Sequence, residues 1–178
     1  MASLRRRRLR VLTPRWAHDP LSGAGAAFRG GRYNRAGVAA LYLAYDIDFA
    51  VNEYEQDIGT RPGTFCYYDV DLDPVADLTL DSEVIALGSA PADRFCLWKD
   101  LLSRSVTPPT WDLADAALAA GYVAAIVPST VPANRPPARD TPGINVVIWR
   151  WNTGTSGTLV RALDPTNELP SDQSSWPP

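Results

Sequence analysis

Strand-length apolar runs and helical stretches follow one another in this chain without regular alternation, and that order limits the fold more than any other feature. ALYLAY at Ala40–Tyr45 reads as a buried strand, with Asp46 as the N-cap of a helix running to about Asp57. Ile47, Ala50, Val51 and Tyr54 recur at helical spacing and predict its buried stripe. Gly63–Leu72 reads as a strand bounded by Pro62 and Pro74, followed by shorter segments at Val75–Leu80 and Glu83–Leu87. A helix is predicted over Ala92–Arg104, with Phe95, Trp98 and Leu102 inward. A second is predicted over Leu113–Ala120, capped by Asp112 and closed by Gly121. Val123–Val127 and Ile144–Trp151 are strands, and Leu9–Leu12 is a short first strand. A doubly wound sheet needs strands and helices to take turns. These do not, so the class is α+β with a mixed or antiparallel sheet.

The chain has 178 residues, enough for one domain with a real core. Residues 1–8 read as a flexible basic start, 9–163 as the domain, and 164–178, rich in Pro, Ser and acidic residues, as a mobile tail. A net charge of -3 argues against nucleic-acid binding through the whole molecular field. With two cysteines and one histidine there are too few ligands for a four-ligand structural zinc site, so no metal is expected. A Ser-His-Asp hydrolase would have to use His18, which reads as a surface residue. Cys66 and Cys96 read as core thiols in a reducing cytoplasm. The longest apolar stretch, Leu113–Pro128, is broken by Asp115 and Gly121, and the arginine-rich start lacks an apolar core, so neither membrane insertion nor secretion is expected.

Chemistry concentrates in a long Gly-, Pro- and Arg-rich loop, Thr13–Gly37. Within it, Ser22 to Arg32 (SGAGAAFRGGR) has glycines that let backbone N–H groups approach an anion, and Arg29, Arg32 and Arg35 supply charge. No Gly-Lys-Ser/Thr follows, and no strand and helix flank it in the dinucleotide-binding order. An anion cradle and an ordinary turn both remain open. Tyr42 lies on a strand that feeds the helix carrying Glu53, which can place a ring and a carboxylate on one side of a cleft; a core tyrosine and an exposed glutamate are the alternatives. Ser129, just past a strand end, and Asn145, opening the next strand, are placed for a ligand or for a turn.

Together these fragments resemble the RES-domain family, bacterial toxins named for an Arg, a Glu and a Ser. The resemblance begins at Leu9-Arg10-Val11 and continues through RWAHDPLSGAGAAF, GGRYN, Gly37 and ALYLA. It runs on through Ala50, Glu53 and AAIVPS, ending at Asn145 in INVVIW. Tyr33 stands where a tryptophan is usual, and Leu9 where an aromatic often precedes the arginine.

The resemblance implies an ADP-ribosyltransferase-like fold, with a split, mostly antiparallel sheet, peripheral helices and NAD+ bound as a consumed co-substrate. By the same resemblance Arg32, Tyr42, Glu53 and Ser129 are catalytic. Arg10, Ser22, Gly30, Gly31, Arg32, Tyr33, Tyr42 and Asn145 bind NAD+. The implied activity is cleavage of the nicotinamide–ribose bond with transfer of ADP-ribose to a protein, of which phosphoribosyl pyrophosphate synthetase is the implied example. The rival is release to water or phosphate. An Xre-type antitoxin is the implied partner, with the loops at Ser22–Asn34 and Pro132–Pro142 bordering the site. A non-enzymatic nucleotide- or RNA-binding module, and an inactive relative that only titrates an antitoxin, are the alternatives from other classes.

Overall fold

The computed structural model describes residues 2–55, 59, 61–132 and 143–174. Its frame is a closed ring of strands. β1 (Ala2–Leu12) runs antiparallel to β3 (Thr64–Asp77), with Leu12 opposite Thr64 and Leu4 opposite Leu72. The other edge of β1 meets β2 (Leu41–Ala44) only at Leu9↔Ala44. β2 pairs antiparallel with β5 (Ile144–Ile148), and β5 with β4 (Ala124–Pro128). β4 lies parallel to the end of β3, at Val75–Asp77, which closes the ring; β6 (Thr158–Leu163) adds antiparallel to β3 at Tyr67–Leu72. Where a split sheet is expected, the β1–β3 pairing therefore joins the strands into one five-stranded barrel with β6 attached.

Helices α1 (Ala24–Arg29), α2 (Ile47–Glu55), α3 (Asp81–Ala86), α4 (Trp98–Ser103) and α5 (Pro109–Ala119) surround it. No helix among the described residues is long and apolar enough to cross a membrane. The continuous apolar run of β5 has a simple cause: both faces are covered. Val146 and Ile148 join Leu41, Leu43 and Leu72 in one cluster, while Val147 and Trp149 join Leu113, Ala114 and Ala117 of α5 in another. A third cluster sets Phe49 and Ala50 of α2 on Leu9, Val11 and Ala44.

Several expectations change. Residues 2–8, expected as part of a flexible start, belong to β1, which begins at Ala2. Arg5 and Arg7 stand directly opposite Asp71 and Asp69, so the arginine-rich text is matched by a strand with acids at alternate positions. Arg5 Nε reaches Asp71 at 2.8 Å. β3 passes through Pro74 because that residue sits in the register irregularity of the β1–β3 pairing, between Leu4↔Leu72 and Ala2↔Val75; its carbonyl accepts from Val123 N at 3.0 Å and no N–H is missed. The helix expected over Ala92–Arg104 is split into a 3-10 turn, Pro91–Phe95, and α4. Buried Arg94 causes the break by turning inward to the Leu78 and Thr79 carbonyls, each at 2.8 Å, and to Asp81.

α5 starts at Pro109, so Asp112 lies in its first turn and is not the cap, whereas Gly121 follows the helix with φ +92° as expected. Asp46 caps α2, accepting from Phe49 N at 2.9 Å, but the buried stripe centres on Phe49 and Ala50 and leaves Ile47 46% exposed. Glu83–Leu87 belongs to α3 and its C-cap, and the loop from Thr13 holds a 3-10 turn and α1. Beyond β6, Asp164 accepts from Glu168 N and Leu169 N at 2.8 and 3.1 Å, and Leu169 packs on the barrel core. The expected end of α2 near Asp57, most of the Pro132–Pro142 loop and residues 175–178 lie outside the described residues.

Candidate active site

The face of the sheet that lies under α5 ends in polar residues. Val127 and Val147 are covered, but two positions away in the same direction across the antiparallel pair come Ser129, just past β4, and Asn145, near the start of β5. Glu53 is brought to the same place by α2. Phe49 and Ala50, one helical turn earlier, seat that helix on β1 and β2, so Glu53 faces the same side. Glu53 Oε1 accepts from Ser129 Oγ at 2.6 Å and from Asn145 Nδ2 at 2.8 Å. Ser129 also accepts from Val131 N at 3.3 Å and is 2% exposed, so it is held from its own loop as well. Asn145 Oδ1 is buried without a partner.

These groups line a cavity of about 490 Å³ that opens beside the single β1–β2 contact. Arg10, Gly30, Gly31, Arg32, Tyr33, Tyr42, Glu53, Ser129 and Asn145 all line it, so the structure brings together every expected site residue except one. Ser22 lies outside this lining, and its Oγ accepts from Ala24 N at 3.3 Å, at the start of α1. It is too near the helix terminus, and too engaged there, to meet the other groups.

The wall from Gly30 to Asn34 is locked from behind. Tyr42 OH accepts from Tyr33 N at 2.9 Å and donates to Asn34 Oδ1 at 2.8 Å. Asn34 Nδ2 donates in turn to the Ala26 and Val38 carbonyls at 2.9 and 2.8 Å. Trp111 and Trp149 give their indole N–H groups to the Gly31 and Tyr33 carbonyls at 2.7 and 2.8 Å. Burial pushes the Tyr42 and Tyr33 phenols up from their ordinary value, so both stay protonated near neutrality. The Tyr42 hydroxyl thus holds the wall in place.

Arg32 Nη1 donates to the Cys96 carbonyl at 2.8 Å, which tethers the guanidinium to the turn made by Arg94. Burial lowers the Arg10 guanidinium from its usual value. Elsewhere the arginines are spent on aspartates: Arg5 on Asp71, Arg94 on Asp81, Arg104 on Asp100, Arg161 on Asp69. Arg35, expected to serve the loop, is among them; it reaches Asp112 and Asp115 at 2.6 Å each, and the bond to Asp115 raises its pKa. By contrast Arg10, Arg29, Arg32 and Arg61, all lining the cavity, pair with no carboxylate among the described residues. A cavity with unneutralised guanidiniums attracts an anion.

Tyr54, Arg61, Trp98 and Lys99 also line it and were not singled out as site residues. Tyr54 is legible only as part of a helical stripe and Trp98 only as an inward position of the helix predicted over Ala92–Arg104; nothing in the sequence marks Arg61 or Lys99. No three His, Cys, Asp or Glu side chains gather as a metal-binding group among the described residues.

The fold resembles that in the crystal structure of the M. tuberculosis MbcT–MbcA toxin–antitoxin complex, with a TM-score of 0.64 and 21% identity, over 91% of this chain and 83% of that one. No curated protein sequence matches the chain. The RES domain model matches residues 7–172, from the arginines of β1, through the Gly30–Asn34 wall, Glu53, Ser129 and Asn145, to beyond β6; the chain belongs to the RES domain family.

Proposed function

We propose that this protein is the toxin of a toxin–antitoxin pair, cleaving the nicotinamide–ribose bond of NAD+ and passing ADP-ribose to a protein acceptor. The observation that carries this reading is the Glu53 carboxylate, held by Ser129 and Asn145 in a cavity whose arginines pair with no carboxylate among the described residues. The volume of about 490 Å³ lies within the usual range of roughly 300–1,000 Å³ for small-molecule sites.

Cleavage of the C1′–N bond sends its electron pair to the pyridinium, which leaves as neutral nicotinamide, and positive charge develops on the ribosyl ring. Glu53 faces that charge. Ser129 and Asn145 keep its carboxylate aimed, so little reorganisation is needed as the charge appears. The cavity arginines take the pyrophosphate, and the Tyr42 ring offers a flat surface to the nicotinamide. The acceptor then adds at C1′ and loses its proton. By this reading the fold is a relative of the ADP-ribosyltransferases, working in the cytoplasm.

The protein acceptor, with phosphoribosyl pyrophosphate synthetase as the example, follows from the family resemblance. The second reading, release of ADP-ribose to water or phosphate, is favoured by one observation. The four cavity arginines without a carboxylate partner among the described residues outnumber the two charges of a pyrophosphate, which leaves a place for an inorganic phosphate. An Xre-type antitoxin is the proposed partner, supported by the structural neighbour having been solved as a toxin–antitoxin complex.

Labelled NAD+ given to the purified chain, with and without cell lysate, tests these readings. Label on a protein supports transfer. Label only in small molecules removes transfer and leaves hydrolysis or phosphorolysis. No nicotinamide release in either case would sink the NAD+ reading itself.

A further inference from the structure

The segment leading into β3 forms a wall of the cavity that the family motif does not include. Gly63 is wedged between β1 and α2: a Cβ there would stand 2.5 Å from Val11 Cγ1 and 3.2 Å from the Tyr54 ring. Tyr54 OH donates to the Pro62 carbonyl at 2.7 Å. The Arg61 guanidinium carbon lies 4.1 Å from the centroid of the Tyr54 ring, and Nη2 donates to the Tyr54 carbonyl at 3.3 Å. A stack of this kind fixes the plane of a guanidinium and leaves its edge free to grip an oxyanion with two N–H groups. Among the described residues Arg61 Nε has no hydrogen-bond partner and no carboxylate neutralises the charge. A cation held so firmly, at the edge of a cavity and without a counter-ion, calls for a ligand to explain it.

The position adds to the case. Arg61 and Tyr54 line the same cavity as Glu53, and Arg10 reaches that cavity from the face of β1 opposite Val11. Arg32, by contrast, is tied to the turn at Cys96 on a different wall. We infer that Arg61, stacked on Tyr54, forms an oxyanion subsite that holds a phosphate group in the cavity lined by Glu53. This rests on the NAD+ reading above. The phosphate is either part of the dinucleotide's pyrophosphate or an inorganic phosphate acceptor, since the same N–H fork suits both.

The test is titration of the full chain with ADP and, separately, with inorganic phosphate, in wild type, Arg61→Ala, Arg61→Lys and the surface control Arg104→Ala. Arg61→Ala is expected to weaken one of the two by about tenfold, the loss of one charge-assisted contact. Arg61→Lys should restore only part of it, because a lysine keeps charge but neither fork nor stack, and Arg104→Ala should match wild type. Loss of ADP affinity assigns the phosphate to the dinucleotide; loss of phosphate affinity alone assigns it to the acceptor. If wild type releases nicotinamide and Arg61→Ala binds both probes as wild type does, the subsite is overturned and the NAD+ reading stands. If wild type releases none, both fall together.

Discussion

The Ser129 hydroxyl donates to Glu53 Oε1 at 2.6 Å, linking the end of β4 to a helix 76 residues earlier in the chain. The bond reaches the carboxylate on the atom that Asn145 also holds, so the two donors set its direction together. Ser129→Ala removes one of them and leaves the charge in place. A fall in kcat of about tenfold is expected, with KM for NAD+ little changed and stability lower by about 1 kcal/mol. Initial rates of nicotinamide release and a urea melt check the two parts.

Glu53→Gln is the sharper change. The amide oxygen can still accept from Ser129 and Asn145, so the melting temperature should stay within a few degrees of wild type. The charge facing the ribosyl ring is gone, and loss of one well-aimed electrostatic group costs ~2.7–4 kcal/mol at the transition state, or a fall of roughly 10²–10³ in kcat. Turnover within tenfold of wild type, in a folded variant, would contradict the role given to Glu53.

Tyr42 leads to a prediction about pH. Burial raises the Tyr42 phenol above its ordinary value of 10.0, and Tyr33 and Tyr68 are raised by the same cause. Such a group keeps its proton in the folded state at a pH where the unfolded chain has lost it. The unfolded state then binds fewer protons, so stability is complete below about pH 10 and falls as pH rises above that. Urea melts from pH 8 to 11 should show the decline. Tyr42→Phe should make it shallower while lowering stability at pH 8 by about 1–3 kcal/mol, because Tyr33 N–H and Asn34 Oδ1 lose their partner.

The sequence makes the site more legible than the frame. Arg32, Tyr42, Glu53, Ser129 and Asn145 belong to short motifs whose chemistry shows in the residues themselves, and the cavity collects them. What closes the barrel is a pairing between residues far apart, and single-strand patterning cannot express it. The arginines of β1 look like a solvated tail until Asp69 and Asp71 are placed opposite them. β6 is hidden for a related reason: TLVRAL alternates only weakly and depends on β3 for its edge. Arg61 has no periodicity or motif at all, and acquires meaning only through the Tyr54 ring beneath it.

Removal of residues 2–6 tests the frame directly. Their loss strips four of the ten residue pairs between β1 and β3 and deletes the buried Leu4 side chain, which packs in the barrel core. Burial of one leucine alone is worth about 1.5–3 kcal/mol. A tail would cost nothing, whereas this deletion should lower stability by at least that amount in a urea melt. The exposed ion pairs contribute little here: Arg5→Ala alone should change stability by roughly 0–1 kcal/mol.

Gly31 carries a strict steric demand at the site. A Cβ on this residue would stand 2.6 Å from Asn34 Oδ1 and 2.7 Å from Tyr42 OH, the two atoms that bond each other to hold the wall. Neither can yield without loss. Asn34 is bound on its amide side to backbone carbonyls, and Tyr42 is fixed by Tyr33 N–H and by its own strand. Gly31→Ala should therefore part the Tyr42–Asn34 bond and shift the Arg32 backbone away from Glu53. A weaker grip on substrate is expected, seen as a KM for NAD+ raised by about tenfold or more, with a loss of roughly 1–3 kcal/mol in stability. Gly25→Ala is the control in the same loop, since a Cβ there meets nothing within 4 Å. Alanine also favours α1 by about 1 kcal/mol over glycine, so Gly25→Ala should keep KM and melt slightly later. Equal kinetics for the two variants would show that the wall moves freely, and that the Tyr42–Asn34 bond does not set the position of Arg32.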